Sequence, residues 1–94
     1  MTEKHACRVC VTGRVQGVWY RKTTQAEAER RQLTGWVQNR SDGSVEALLQ
    51  GPREDVDSMI AWMHEGPKGA HVSDVATLET EVNEALCGFR IRRD

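Results

Sequence analysis

The arrangement of two helix-patterned stretches among five alternating ones is what most constrains this chain. From Ala6 to Thr12, Cys7, Val9 and Val11 alternate with Arg8, Cys10 and Thr12, the pattern of a strand with one covered face. KTTQAEAERRQL, residues 22–33, is rich in helix formers and turns Thr24, Ala28 and either Arg31 or Leu33 inward. TGWVQN at 34–39 and SVEALLQ at 44–50 flank the turn signal SDG at 41–43 and read as a hairpin; in the second arm Val45, Ala47 and Leu49 oppose Glu46, Leu48 and Gln50. Gly51 and Pro52 stop that strand and start a helix in which Val56, Met59, Ile60 and Met63 recur at the spacing of a buried stripe, with Glu54 and Asp55 near its N-terminus. After the break EGPKG at 65–69, HVSDVATLETEV at 71–82 reads as a fourth strand and GFRIRR as a short final one.

Two helices of this length cover only one face of a four-stranded antiparallel sheet. The expected fold is therefore α+β, a two-layer ferredoxin-like α/β sandwich of order βαββαβ with a short extra C-terminal strand and its second sheet face toward solvent. At 94 residues one core and one domain, 1–94, are expected, with no repeat and no low-complexity linker.

Charge narrows the function classes. Thirteen basic and 14 acidic side chains leave a formal net charge of -1, so no global field draws the chain to nucleic acid or an anionic membrane, and any anion must be met locally. With no apolar run approaching a membrane span, a cytoplasmic address is the default. Cys7, Cys10 and Cys87 cannot all pair and lack the spacing of a structural zinc site, while Cys7 and Cys10 fall on opposite faces of a strand; a link from Cys87 to the first strand stays open. His5, His64 and His71 show no mutual ligand spacing, and no serine sits in a nucleophile elbow. Trp19, Trp36 and Trp62 read as core and pocket wall and not as a stacking platform.

The segment GRVQGVWYR at 13–21 joins the first strand to the first helix. Backbone N–H groups there can converge into a concave nest beside a helix start, and Arg21 adds a planar fork of charged donors, a combination suited to phosphate. The same residues also suit a plain tight turn with a solvated arginine. Neither GxxxxGK[ST] nor GxGxxG is present, which removes support for ATP and dinucleotide chemistry.

GRVQGVWYR, together with GWVQNRSDGSVE at 35–46, resembles the two signatures of the acylphosphatase family, and the resemblance extends over nearly the full chain. It implies a stand-alone enzyme that hydrolyses acyl phosphates such as acetyl and benzoyl phosphate to a carboxylate and inorganic phosphate, with no metal or cofactor. By resemblance Arg21 binds phosphate, the loop Arg14, Val15, Gln16, Gly17 and Val18 supplies backbone donors, and Asn39 orients water. A neutral amide positions water but is no strong base, so direct in-line attack with the proton passing elsewhere is expected. Thr24, Trp19 and Tyr20 take supporting places, Thr24 through a hydroxyl bond to local backbone. Partners are then the small-molecule substrate and phosphate, without nucleic acid or membrane, and the chain is expected to act as a monomer. A non-catalytic anion-binding or regulatory module of the same fold is the alternative. Two departures from the family stand out. Arg31 and Gln32 replace a usual Leu-Gly, so the first helix loses an apolar anchor and its permissive glycine. Trp19 fills a slot that is often glycine, where its bulk either shields the pocket or touches the acyl group.

Overall fold

The computed structural model describes residues 3–93. In chain order the elements are β1 (Lys4–Arg14), α1 (Tyr20–Arg30), β2 (Thr34–Asn39), β3 (Val45–Pro52), α2 (Arg53–Glu65), β4 (His71–Thr80) and β5 (Phe89–Ile91). They form one five-stranded sheet of order β4-β1-β3-β2-β5. The four expected strands are antiparallel neighbours, and the short terminal strand joins the edge parallel to β2, making the sheet mixed. Among the described residues no helix is long and apolar enough to cross a membrane.

Register carries the alternation across the sheet. Val9 lies opposite Ala47, Ala47 opposite Val37 and Val37 opposite Ile91, so one apolar row crosses four strands beneath the helices. Onto it α2 lays Val56, Met59 and Met63, and α1 lays Tyr20, Thr24 and Ala28, all buried. Ile60, expected in the same stripe, packs only partly buried at its margin.

The first helix starts two residues earlier than its pattern suggests and ends at Arg30, because a C-cap closes it without glycine. The Leu33 N–H donates to the Ala28 carbonyl at 2.9 Å and the Gln32 N–H to the Glu29 carbonyl at 3.0 Å, with Gln32 in the left-handed region at φ 58°. These are the paired bonds of a Schellman ending, held by Gln32 at a conformational cost of about 1–2 kcal/mol. Leu33, just past the helix, is buried and serves as the apolar anchor; Arg31 instead bonds back along α1 to Glu27 and across to the Ser58 hydroxyl of α2.

Trp36 departs from its expected place in core or pocket. It faces the helix-free side of the sheet, in the row Leu78, Arg8, Leu48, Trp36 and Arg90. It is nonetheless only 8% exposed, with the Arg92 guanidinium 4.3 Å and that of Arg8 5.6 Å from its ring. Arg8, Arg40 and Gln38 all reach the Glu46 carboxylate beside it. Arginine stems thus cover the open face around Trp36, while its β4 side, with Leu78 66% exposed, faces solvent as expected. The three cysteines are free, and burial pushes the Cys7 thiol above its ordinary range; Cys87 precedes β5, at the sheet edge away from β1.

Gly35 lets β2 pack between β3 and β5. Its φ is 142°, and a Cβ there would stand 1.8 Å from the Leu48 carbonyl oxygen and 3.3 Å from the Phe89 ring. Gly35→Ala should therefore lower stability by roughly 2–4 kcal/mol in denaturant titration, from backbone strain and overpacking together; a loss within experimental scatter would contradict this account of the β2 edge.

Candidate active site

The β1–α1 loop is held by its apolar residues. Val15 and Tyr20 are buried and Val18 packs against the core, so the residues between them, Gly17 and Trp19, and Arg21 beyond, are presented outward. Just before the loop the β1–β4 register shifts between Thr12 and Gly13, a bulge that bends the strand end. Within the loop Gly17 (φ 76°) and Trp19 (φ 63°) are left-handed while Val18 between them is not. Alternation of this kind can turn successive backbone N–H groups toward one side, as an anion nest requires.

Helix α1 then begins without a side-chain cap and without an acid in its first turn, which instead contains Arg21 and Lys22. Cations at the positive end of a helix dipole are unfavourable by about 0.3–1 kcal/mol each. No carboxylate of the described residues lies within ion-pairing distance of either. An anion bound at this point would relieve both costs.

Gln16 lies outside the cavity wall, and its side chain has a different task from the loop backbone. Its Nε2 donates to the Arg40 carbonyl at 2.8 Å and the Ser44 carbonyl at 2.9 Å, tying the loop to the β2–β3 hairpin. That hairpin is closed by the Arg40 N–H on the Ser44 carbonyl at 2.8 Å and by Asp42 Oδ1, which accepts from the Ser44 N–H at 2.9 Å and its hydroxyl at 2.6 Å. Asn39, the residue before Arg40, is thereby set opposite the loop.

A cavity of about 420 Å³ lies between them, lined by Val15, Gly17, Trp19, Tyr20, Arg21, Lys22, Asn39, Ile91 and Arg93. Of the residues expected at a site, the structure gathers Val15, Gly17, Trp19, Tyr20, Arg21 and Asn39 here. Arg14 ends β1 opposite His71, and Val18 turns to the core. Thr24 is wholly buried in α1 and its hydroxyl has no partner, which corrects the expected bond to local backbone; the neighbouring Thr23 makes that bond, to the Trp19 carbonyl at 2.9 Å. Asn39 Oδ1 is likewise buried and receives no donor from the described residues. Lys22, Ile91 and Arg93 were not foreseen. The last two arrive through the parallel β2–β5 pairing, for which local pattern carries no signal. Among the described residues no group of three or more His, Cys, Asp or Glu is placed to hold a metal ion.

Tyr20 locks the wall in place. Its hydroxyl donates to the Met63 carbonyl at 2.7 Å, satisfying a carbonyl of the last turn of α2, and burial pushes the phenol above its ordinary range. Trp62 packs beside its ring at a centroid distance of 5.9 Å.

The structure defines a class of protein: a two-layer α/β sandwich in which a loop of alternating backbone sign, an uncapped helix start and an arginine meet at one cavity. The acylphosphatase family model matches residues 7–91. An acylphosphatase of Rhizobium meliloti (strain 1021) is 52% identical over 91 residues, covering 97% of this chain and 96% of that protein. Among solved structures, an acylphosphatase from Coxiella burnetii superposes with a TM-score of 0.90 at 40% identity, covering 95% of this chain and 93% of the other. That from Bacillus subtilis gives 0.91 at 38%, covering 95% and 99%. The chain belongs to the acylphosphatase family.

Two outcomes follow from the bonds around the cavity. Tyr20→Phe removes the donor to Met63 and should lower stability by about 1–2 kcal/mol in chemical denaturation; unchanged stability would show that the carbonyl is satisfied otherwise. Asp42 is held below the usual carboxylate range by the Ser44 hydroxyl first and the Ser44 N–H second. Folding thus favours its charged form, and its contribution is full above the unfolded pKa and lost as pH falls through the lower folded value. The stability gap between the unaltered chain and Asp42→Ala should shrink from neutral to strongly acidic pH, and a gap constant with pH would refute it.

Proposed function

We propose that this chain hydrolyses acyl phosphates to a carboxylate and inorganic phosphate by direct attack of water. The observation that carries the reading is the convergence of Arg21, the loop with alternating backbone sign and Asn39 on one cavity. In this reading the N–H groups of the loop from Arg14 to Val18 and the Arg21 guanidinium hold the equatorial phosphoryl oxygens. Charge accumulates there in the transition state, so donors already in place lower the barrier without reorganising.

Asn39 orients the attacking water. A buried amide oxygen without a donor from the chain is unfavourable by about 1–3 kcal/mol, and a water O–H directed at it supplies the missing bond. As the water oxygen forms its bond to phosphorus, the bond from phosphorus to the acyl oxygen breaks, and the carboxylate leaves with the electron pair. The water proton passes to a phosphoryl oxygen. A carboxylate is a weakly basic leaving group and needs no general acid. This suits a wall whose phenol, on Tyr20, is already committed to Met63.

No metal or cofactor takes part in this scheme, and a single domain carries it. The three free cysteines suit a reducing, cytoplasmic setting, and the enzyme acts as a monomer on small molecules, without nucleic acid.

Chelator-treated protein should hydrolyse acetyl phosphate at neutral pH. Arg21→Ala should lose at least about a hundredfold in kcat/KM together with competitive inhibition by inorganic phosphate. Asn39→Ala should lose a similar factor in kcat and keep that inhibition. Equal loss of phosphate inhibition in both variants would refute the division of roles, and absent turnover in the folded, unaltered chain would leave a non-catalytic anion-binding module.

A further inference from the structure

Trp19 is the most exposed large hydrophobic residue described, at 76%, and it stands on the rim of the cavity. It belongs to no part of the buried core, and among the described residues no aromatic or cationic partner lies on its ring. Its backbone is left-handed at φ 63°, a conformation the alternation of the nest demands of whatever residue occupies this position. Glycine would meet that demand without strain. The chain instead places its largest side chain there and leaves it uncovered, an arrangement that stability does not explain.

The cavity is also larger than a phosphoryl group needs, and its walls divide by element. Asn39 comes from β2, with Ile91 and Arg93 from or beside the neighbouring β5, whereas Trp19 and Lys22 flank the start of α1. In-line displacement puts water and leaving group on opposite sides of phosphorus. With water on the Asn39 side, the acyl group departs away from β2, and on the rest of the rim the largest exposed apolar surface is the indole.

We infer that Trp19 is a specificity-determining residue whose indole stacks on the acyl group, so that the favoured substrates are acyl phosphates with planar, aromatic or conjugated acyl groups. This inference rests on the phosphoryl-transfer reading given above. A flat apolar ring gains by offset stacking on another π-face. An acetyl group is too small to cover the indole.

The test compares kcat/KM for benzoyl phosphate with that for acetyl phosphate in the unaltered chain, Trp19→Gly and Trp19→Phe. Glycine is compatible with the left-handed backbone and removes no core contact, so the variant folds. The benzoyl-to-acetyl ratio should fall roughly three- to tenfold in Trp19→Gly, the worth of one aromatic pair, and recover in large part in Trp19→Phe. An unchanged ratio with both substrates turned over would overturn the inference and leave the enzymatic reading intact. Equal losses on both substrates would also overturn it, making Trp19 an organiser of the loop. Hydrolysis of neither substrate by the unaltered chain would overturn the underlying reading and this inference with it.

Discussion

One side-chain amide holds the two halves of the site in register. The Nε2 of Gln16 reaches the carbonyls of both Arg40 and Ser44, so the loop that begins at the end of β1 is fastened to the hairpin that carries Asn39. The loop has no regular backbone ladder between Arg14 and Tyr20, and the hairpin turn spans mostly exposed residues. Val15 and Tyr20 supply the second half of the constraint by fixing the loop's ends in the core. Phosphoryl transfer needs little chemistry from a protein beyond donors at fixed positions, so an interaction that fixes position is close to the mechanism itself.

The same region concentrates features that are unfavourable for stability alone. Two cations open α1, no side chain caps it, a tryptophan takes a left-handed backbone and an asparagine oxygen is buried without a donor. Each is unfavourable by an amount of order 1 kcal/mol, and together they form a substantial part of what a domain of this size has in reserve. The sandwich offsets them elsewhere. The apolar row from Val9 to Ile91 is continuous, and on the helix-free face Arg8 and Arg92 cover Trp36. An anion in the cradle would remove several of these penalties at once, which couples ligand binding to stability.

Much of this was legible in the order of residues. The alternation of Cys7, Val9 and Val11 and the spacing of Val56, Met59 and Met63 set the two layers, because period two and period three-to-four each leave one face apolar. GRVQGVWYR and, through the family resemblance, Asn39 pointed to residues that line the cavity, although the glycine loop by itself suits a plain turn as well. What escaped the reading is long-range. Nothing local says that GFRIRR pairs parallel to β2 and brings Ile91 and Arg93 to the wall, nor that arginines from β1 and the chain end meet over Trp36. The Thr24 hydroxyl escaped for a different reason: a helical hydroxyl meets the carbonyl four residues back, so the Trp19 carbonyl falls to Thr23, while Thr24 turns into the core.

The place of β5 makes the cavity a property of the whole fold. Phe89 is buried under α1, the Gln25 amide donates to its carbonyl at 3.0 Å, and the Arg92 N–H donates to the Val37 carbonyl at 2.8 Å. These bonds fasten the end of the chain to the first helix and to the strand that ends in Asn39. Ile91 reaches the site by the same attachment, as the last member of the apolar row whose other members lie in β1, β3 and β2. A change that loosened this edge would therefore open the core and the cavity wall together. The β1–α1 loop at the other wall, fixed by Val15 and Tyr20, would keep its own anchors. Damage at β5 should thus appear first in how water and the far wall are placed, and only later in anion binding, because the two walls of the cavity are secured by different parts of the sequence.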